Sequence, residues 1–235
     1  MRTVIPTIFL LLVALSCQQE SKPVATVNQD LPAGNLFASL TQDNLGDLSW
    51  HNPPSSFTFE NNSLQVIADE GSDYFNNPED STITATAPFL FRQVRGDFVA
   101  KALVRPDFSS VWNAASLMVH IDSTHWIKFA FENSDATGPS IVSVVTKGVS
   151  DDANGVILAD HLEIWLKLIR KGNSYSMLWS VNNEYYTMAR LSTMPSVDAV
   201  KIGVELQSPV GASATHAVRY FGLEHRTVED LRKGE

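Results

Sequence analysis

The sequence predicts an all-β protein: two antiparallel sheets packed face to face as a jelly-roll sandwich. Three observations predict it. Apolar and polar residues alternate at a period of two along most of the chain, the pattern of strands buried on one face. Turn signals separate these runs, among them Asn61-Asn62, Asn76-Asn77-Pro78, Gly138-Pro139, Gly172-Asn173 and Asn182-Asn183. No long segment carries a helical period, and only the charged end, Thr227–Gly234, has room for a turn or two. Many short strands joined by turns bury their apolar faces best as two layers.

The elements follow in order. Arg2, the apolar run Val4–Leu15 and the small Ser16 form a signal-peptide layout whose apolar core is too short to span a bilayer. Cys17 is the one cysteine, so no internal disulfide forms. Ala14-Leu15-Ser16-Cys17 resembles a bacterial lipobox, in which the cysteine becomes the lipidated first residue of the mature protein. A plain secretory signal with an incidental cysteine is the alternative. Gln18 stands where an aspartate would imply inner-membrane retention, so the same resemblance implies the outer membrane. The expectation is an exported protein, lipid-anchored to the bacterial cell envelope through Cys17. Residues 1–16 are then the signal peptide. Residues 17–34, polar and aperiodic with Pro23 and Pro32, form a flexible linker. Residues 35–226 form one sandwich domain, since no break in composition divides them, and residues 227–235 form a charged tail. The formal net charge is −9, and one unit more negative once Arg2 is removed. An acidic chain without a Lys/Arg cluster does not suit nucleic acid, whose phosphates are bound by cations.

Within the domain the alternation predicts strands at Phe57–Glu60, Leu64–Ala68, Thr82–Thr86, Asp97–Arg105, Ser116–Asp122, Trp126–Asn133 and Ile141–Thr146. It continues at Glu163–Lys171, Ser174–Val181, Glu184–Ala189, Val197–Gln207 and His216–Glu224. The segment from Ser116 to Glu132 is the most informative. Ile127, Phe129 and Phe131 share one face, and Trp126, Lys128 and Glu132 share the other. With Ser123-Thr124 as the central turn residues, Trp126 lies opposite Ile121 and Lys128 opposite Val119, and His120 joins the core face. A turn one residue different moves His120 to the Lys128 face, and the two registers stay open.

Several pieces together resemble a known family. They are Leu48-Ser-Trp-His-Asn-Pro53, Ser72-Asp-Tyr-Phe75, Gly96-Asp-Phe98, Ser116–Val119, Trp126–Lys128 with Glu132, and Val142–Thr146. Trp165–Arg170, Gly172–Tyr175, Ser180 and Leu206–Pro209 complete the set. Their order resembles the domain-of-unknown-function 1349 family, named after a regulation of enolase protein, within the concanavalin A-like lectin/glucanase superfamily. The chain departs from that pattern at Asn182-Asn183, where Asp-Gly is usual, at Tyr186, and at Tyr74-Phe75. The departures keep a turn-compatible pair and aromatic bulk. The resemblance implies a concave face suited to carbohydrate and brings no catalytic set.

Sugar-binding faces combine aromatic rings with charged or amide groups that hydrogen-bond hydroxyls. The candidates are Trp126, Lys128 and Glu132 on one strand, Trp165 and Lys167 on a second, and Glu205 and Gln207 on a third. Side by side, these strands give an acidic, basic and aromatic floor. The plainer alternative pairs Lys128 with Glu132 and Lys167 with Glu205 as solvated ions. Asp73 and Trp112, in polar loops, suit the mouth of such a site. Asp151-Asp152-Ala153-Asn154-Gly155 reads as an Asx-type turn in preference to a calcium loop, lacking the acidic spacing and terminal glutamate of an EF-hand. No zinc-type spacing, nucleophile elbow, phosphate loop or dinucleotide fingerprint occurs, so neither a metal nor a cofactor is expected. The leading expectation is a non-catalytic carbohydrate-binding domain. One alternative is a glycoside hydrolase pairing Glu132 with Glu205, although no Glu-x-Asp-x-Glu or Glu-x-Asp-x-x-Glu motif is present. The other is a structural interaction module, which an exposed apolar patch on the convex side favours.

Overall fold

Alternation becomes strand almost wherever it occurs. The structure, a computed structural model, describes residues 31–235. The expected signal peptide (1–16), Cys17 and the linker through residue 30 lie outside the described residues. One seven-stranded sheet runs in the order β1 (Ser49–His51), β6 (Phe89–Arg95), β15 (Ala199–Gln207), β8 (Ala114–Asp122), β9 (His125–Ser134), β10 (Gly138–Lys147) and β11 (Val149–Ile157). The other runs β14 (Thr187–Thr193), β13 (Ser174–Ser180), β12 (Ile164–Lys171), β7 (Phe98–Arg105), β16 (Ala214–Glu224), β3 (Ser63–Ala68) and β2 (Ser56–Glu60). A two-stranded hairpin, β4 (Tyr74–Asn76) with β5 (Ile83–Ala85), stands apart from both. Neighbouring strands within each sheet pair antiparallel, as a jelly-roll sandwich requires.

The core lies between the sheets. Leu117, Ile127, Phe129, Phe131 and Val204 of the first sheet face Ala102, Leu166, Leu168 and Phe221 of the second, all buried. Asparagines make the tight turns because they tolerate the left-handed backbone region. Asn61 and Asn62 have φ 51° and 60° between β2 and β3, and Asn183 has φ 62°.

Four strands lack an alternation that reveals them. β1 has three residues, and β4 belongs to the small hairpin. β6 opens on the unbroken apolar run Phe89-Leu90-Phe91 because both of its faces are covered. β11 is an exposed edge with few apolar residues, and it takes in Asp151–Gly155, so that run is strand and not an Asx-type turn. The strand expected at Glu184–Ala189 begins later, at Thr187, because residues 181–185 make the turn.

The outer face of the second sheet is also covered. Val228, with Leu231 beside it, packs on Val99, Ile169 and Leu178, so the tail docks instead of projecting. Leu31 and Tyr186 pack over Leu103, Trp165 and Tyr220, and the Tyr220 hydroxyl donates to Ala33 O at 3.1 Å. The apolar patch that a structural module would expose there is thus occupied.

Candidate functional site

The register of the β8–β9 hairpin fixes which side chains share the outer face of the first sheet. A bulge at Ile121 separates the pair His120–Trp126 from Asp122–His125. The extra residue places Met118, not Val119, opposite Lys128, and sends His120 to the Lys128 face. Ile127, Phe129 and Phe131 remain in the core, as alternation requires. Across β8, Glu132, Ala114 and Gln207 are level, and so are Ala130, Ser116 and Glu205. Ala114 and Ala130 are fully buried on this face, in a cluster with Tyr74 and Trp126.

The β4–β5 hairpin covers part of that face, so neither side of β9 is solvated. Asn52, held at φ 53°, donates from Nδ2 to Ala85 O at 2.9 Å and Ala87 O at 3.1 Å. Asn76 Nδ2 donates to Gly148 O at 2.9 Å. Between hairpin and sheet, Trp126 is 1% exposed and sits edge-on to Tyr74 at 6.0 Å. A ring buried this way cannot stack on a sugar, so the outward Trp126 expected from alternation is corrected. Its burial is what seats the hairpin.

Lys128 is buried as well, and all three of its ammonium hydrogens have acceptors. Nζ donates to Asp73 Oδ1 at 3.1 Å, Tyr74 O at 3.0 Å and Gln207 Oε1 at 2.5 Å. Gln207 Nε2 in turn donates to Trp112 O at 2.9 Å. Burial alone would lower the lysine's pKa, but Asp73, Glu205 and Glu132 outweigh it and hold it above the ordinary value. The expected Lys128–Glu132 surface pair is therefore replaced by a buried bridge to Asp73.

A cavity of about 440 Å³ opens between sheet and hairpin. Asp73, Trp112, Lys128, Glu132 and Gln207 line it, so these expected site residues do converge. Phe75, Val144 and Asp152 add to the wall, with Glu79 and Asp135 at the rim. Trp112 is 39% exposed and held at φ 62°, a region that strains a bulky side chain. Glu132 accepts no hydrogen bond from any described residue. Burial pushes its pKa up to about 8 against the pull of Lys128, with Asp152, Asp73 and Glu205 adding to the rise.

Glu205 does not line the cavity. It is fully buried, its Oε2 accepts from Ser116 Oγ at 2.5 Å, and its Oε1 has no partner. Burial raises its pKa to about 7, again against Lys128 and the Ser116 hydrogen bond. The carboxylate pair expected of a hydrolase thus has one member in the cavity and one sealed beneath it.

Trp165 and Lys167 are elsewhere. Both sit on β12, in the other sheet, facing away from the core. Trp165 packs against Tyr220 at 5.2 Å, and Lys167 Nζ lies 3.6 Å from the centre of the Tyr186 ring. Burial and then Lys101 bring the Lys167 pKa down to about 8. A common floor of three strands does not form, because alternation assigns a face within a strand and not the sheet that the strand joins. Of the additional wall residues, Phe75 and Asp152 lie in segments that read as polar loops in the sequence and are strands β4 and β11 here, whereas Glu79 and Asp135 escape sequence reasoning because they lie in turns. The Asn76-Asn77-Pro78 turn signal and the alternation at Thr82–Thr86 are the traces of that hairpin in the sequence.

Comparisons with known proteins agree with this architecture. The regulation of enolase protein 1 of Saccharomyces cerevisiae (strain ATCC 204508 / S288c) is 26% identical over 155 residues, covering 66% of this chain and 78% of that protein. The crystal structure of a functionally unknown Saccharomyces cerevisiae protein matches with TM-score 0.73 and 23% identity, over 77% of this chain and 98% of that one. A xylan beta-1,4-xylosidase from Bacillus halodurans C-125 matches with TM-score 0.64 and 13% identity, over 84% of this chain and 40% of that one. The two solved structures share this chain's fold. The family model described as protein of unknown function (DUF1349) matches residues 50–226, most of the sequence, and the chain belongs to that family.

Proposed function

We propose that the domain binds a saccharide in the cavity between the first sheet and the β4–β5 hairpin, without catalysis. In this reading the protein is exported and anchored by lipid at Cys17 to the outer membrane of a bacterial envelope, where the domain holds an extracytoplasmic glycan. The observation that carries it is Trp112. A tryptophan kept exposed in a strained backbone conformation, at the mouth of a cavity that also offers Glu132 and Gln207, is an arrangement that packing alone does not favour. Its ring supplies the flat apolar surface on which a pyranose stacks, and the carboxyl and amide groups suit its hydroxyls. Likeness in fold to a xylosidase adds support by analogy only.

Glu205 speaks against the one hydrolase the sequence suggests, which would pair it with Glu132. A glycosidase needs two carboxyl groups flanking the scissile bond, and Glu205 lies under Ser116 outside the cavity lining. Screening the protein on a glycan array, followed by affinity electrophoresis of Trp112→Gly with Glu132→Gln, tests this reading. Retention by a bound glycan that disappears in the double variant supports it. Unchanged retention in a folded double variant removes the cavity from the account.

A further inference from the structure

The charges around the cavity are lopsided, and the imbalance bears on which saccharide fits. Carboxyl groups of Asp73, Glu79, Glu132, Asp135 and Asp152 line it, against the single cation Lys128. That cation is spent on Asp73, Tyr74 and Gln207. Gln207 Nε2 gives one hydrogen bond, to Trp112 O. An anionic sugar therefore meets no free cation among the described lining residues, whereas Glu132 waits on a donor. It is 6% exposed, it lines the cavity, and no described residue gives it a hydrogen bond. Facing the cavity, it is free to take a donor from a ligand, and in so buried a place that donor counts for more than one at the surface. Among the described residues no group of three or more His, Cys, Asp or Glu side chains could hold a metal ion. A partner for Glu132 is then most simply supplied by the ligand.

We propose that this ligand is an amino sugar with a free, unacetylated amine, whose ammonium group is received by Glu132. The proposal rests on the reading that the cavity binds saccharide and names its chemical class. A hydroxyl would satisfy one lone pair of Glu132, but an ammonium also favours its ionised form against the negative charge of Asp152 on β11 and Asp73 before β4. Trp112 and Phe75 border the same space, and aromatic faces attract cations. The carboxyl of Glu132 holds a proton up to about 8. Arrival of an ammonium ionises it and expels that proton to solvent. A neutral sugar leaves the proton in place as a donor.

The two cases differ in proton count, which titration calorimetry reads from buffers of different ionisation enthalpy. The probes are the β-1,4-linked glucosamine tetramer, its fully N-acetylated form and the glucose tetramer, at about pH 6, where the amine is charged. The expected result is binding of the amine tetramer about tenfold or more tighter than either neutral one, with release of about one proton. Glu132→Gln, shown to be folded by its unfolding transition, loses both the preference and the release. Equal binding of the three tetramers, or amine binding without proton release from the wild-type protein, overturns the amino-sugar assignment and leaves saccharide binding standing. Absence of binding by all three, with a blank glycan array, removes both.

Discussion

Lys128 on β9 and Asp73 just ahead of β4 meet across the outer face of the first sheet, Nζ to Oδ1 at 3.1 Å. The bridge ties a hairpin that belongs to neither sheet onto a face that a sandwich of this kind could leave open to water. It converts a strand surface into a cavity and buries the residues that alternation alone would leave solvated. Because Lys128 is 2% exposed, its worth is that of a buried ion, which is costly to leave unpaired and costly to remove.

Replacing Lys128 with methionine deprives Asp73, Glu132 and Glu205 of their shared counter-ion. The expected loss is about 3–5 kcal/mol near pH 8, read as a shift in the urea unfolding midpoint. A loss below about 1 kcal/mol would place the lysine in the class of surface ion pairs and undo the bridge.

Stability falls as the solution turns alkaline. Glu132 and Glu205 keep their protons up to about 8 and about 7 when folded, and give them up near 4.5 once unfolded. Between those values the folded state binds more protons, so its stability declines as pH rises, with the decline complete just above 8. Glu132→Gln, which sacrifices no hydrogen bond, flattens this slope and is more stable than the wild type at alkaline pH. Buried His120 and His216, held near 4 when folded, act the other way below about 6.5, so unfolding midpoints from about pH 6.5 to 8 check the sign, and a wild-type stability that rises across that range contradicts it.

The two tryptophans separate packing from binding. Trp126→Ala empties a buried site under the hairpin and costs about 3–5 kcal/mol. Trp112→Gly removes an exposed ring and relieves a left-handed backbone, so it is neutral or stabilising by up to about 1 kcal/mol while glycan retention is lost. Thermal unfolding beside affinity electrophoresis distinguishes the two variants.

Gly203 has a different reason to be glycine. A Cβ there would collide with the Leu90 carbonyl oxygen and lie 2.7 Å from Phe91 Cα, both backbone atoms of the neighbouring β6. Backbone cannot step aside within a paired sheet. Gly203→Ala is therefore expected to lose about 3 kcal/mol or more, or to fail to fold, judged by its melting temperature beside that of the wild type.

The fold is legible in this sequence because one face of most strands meets the common core, as Ile127, Phe129 and Phe131 do. The site is legible only in part. Asp73, Trp112, Lys128, Glu132 and Gln207 can be named from the sequence and converge in the cavity. Trp165 and Lys167 obey the same alternation on another sheet, and nothing local distinguishes the two sheets. Trp126 is misjudged because the cover over it is the β4–β5 hairpin: alternation shows β5 but not the three-residue β4, and nothing local says that the pair folds over the first sheet. The bulge at Ile121, which settles the side of His120, leaves no mark in composition.

The central claim is that ligand enters between the hairpin and the first sheet. Titrating a glycan selected on the array into isotope-labelled protein, and following side-chain NMR signals, tests it most directly. The account predicts that the Trp112 indole and the Gln207 amide shift together and saturably, while the Trp165 indole, on the opposite sheet, stays put. Shifts confined to Trp165, with Trp112 and Gln207 unmoved, contradict it.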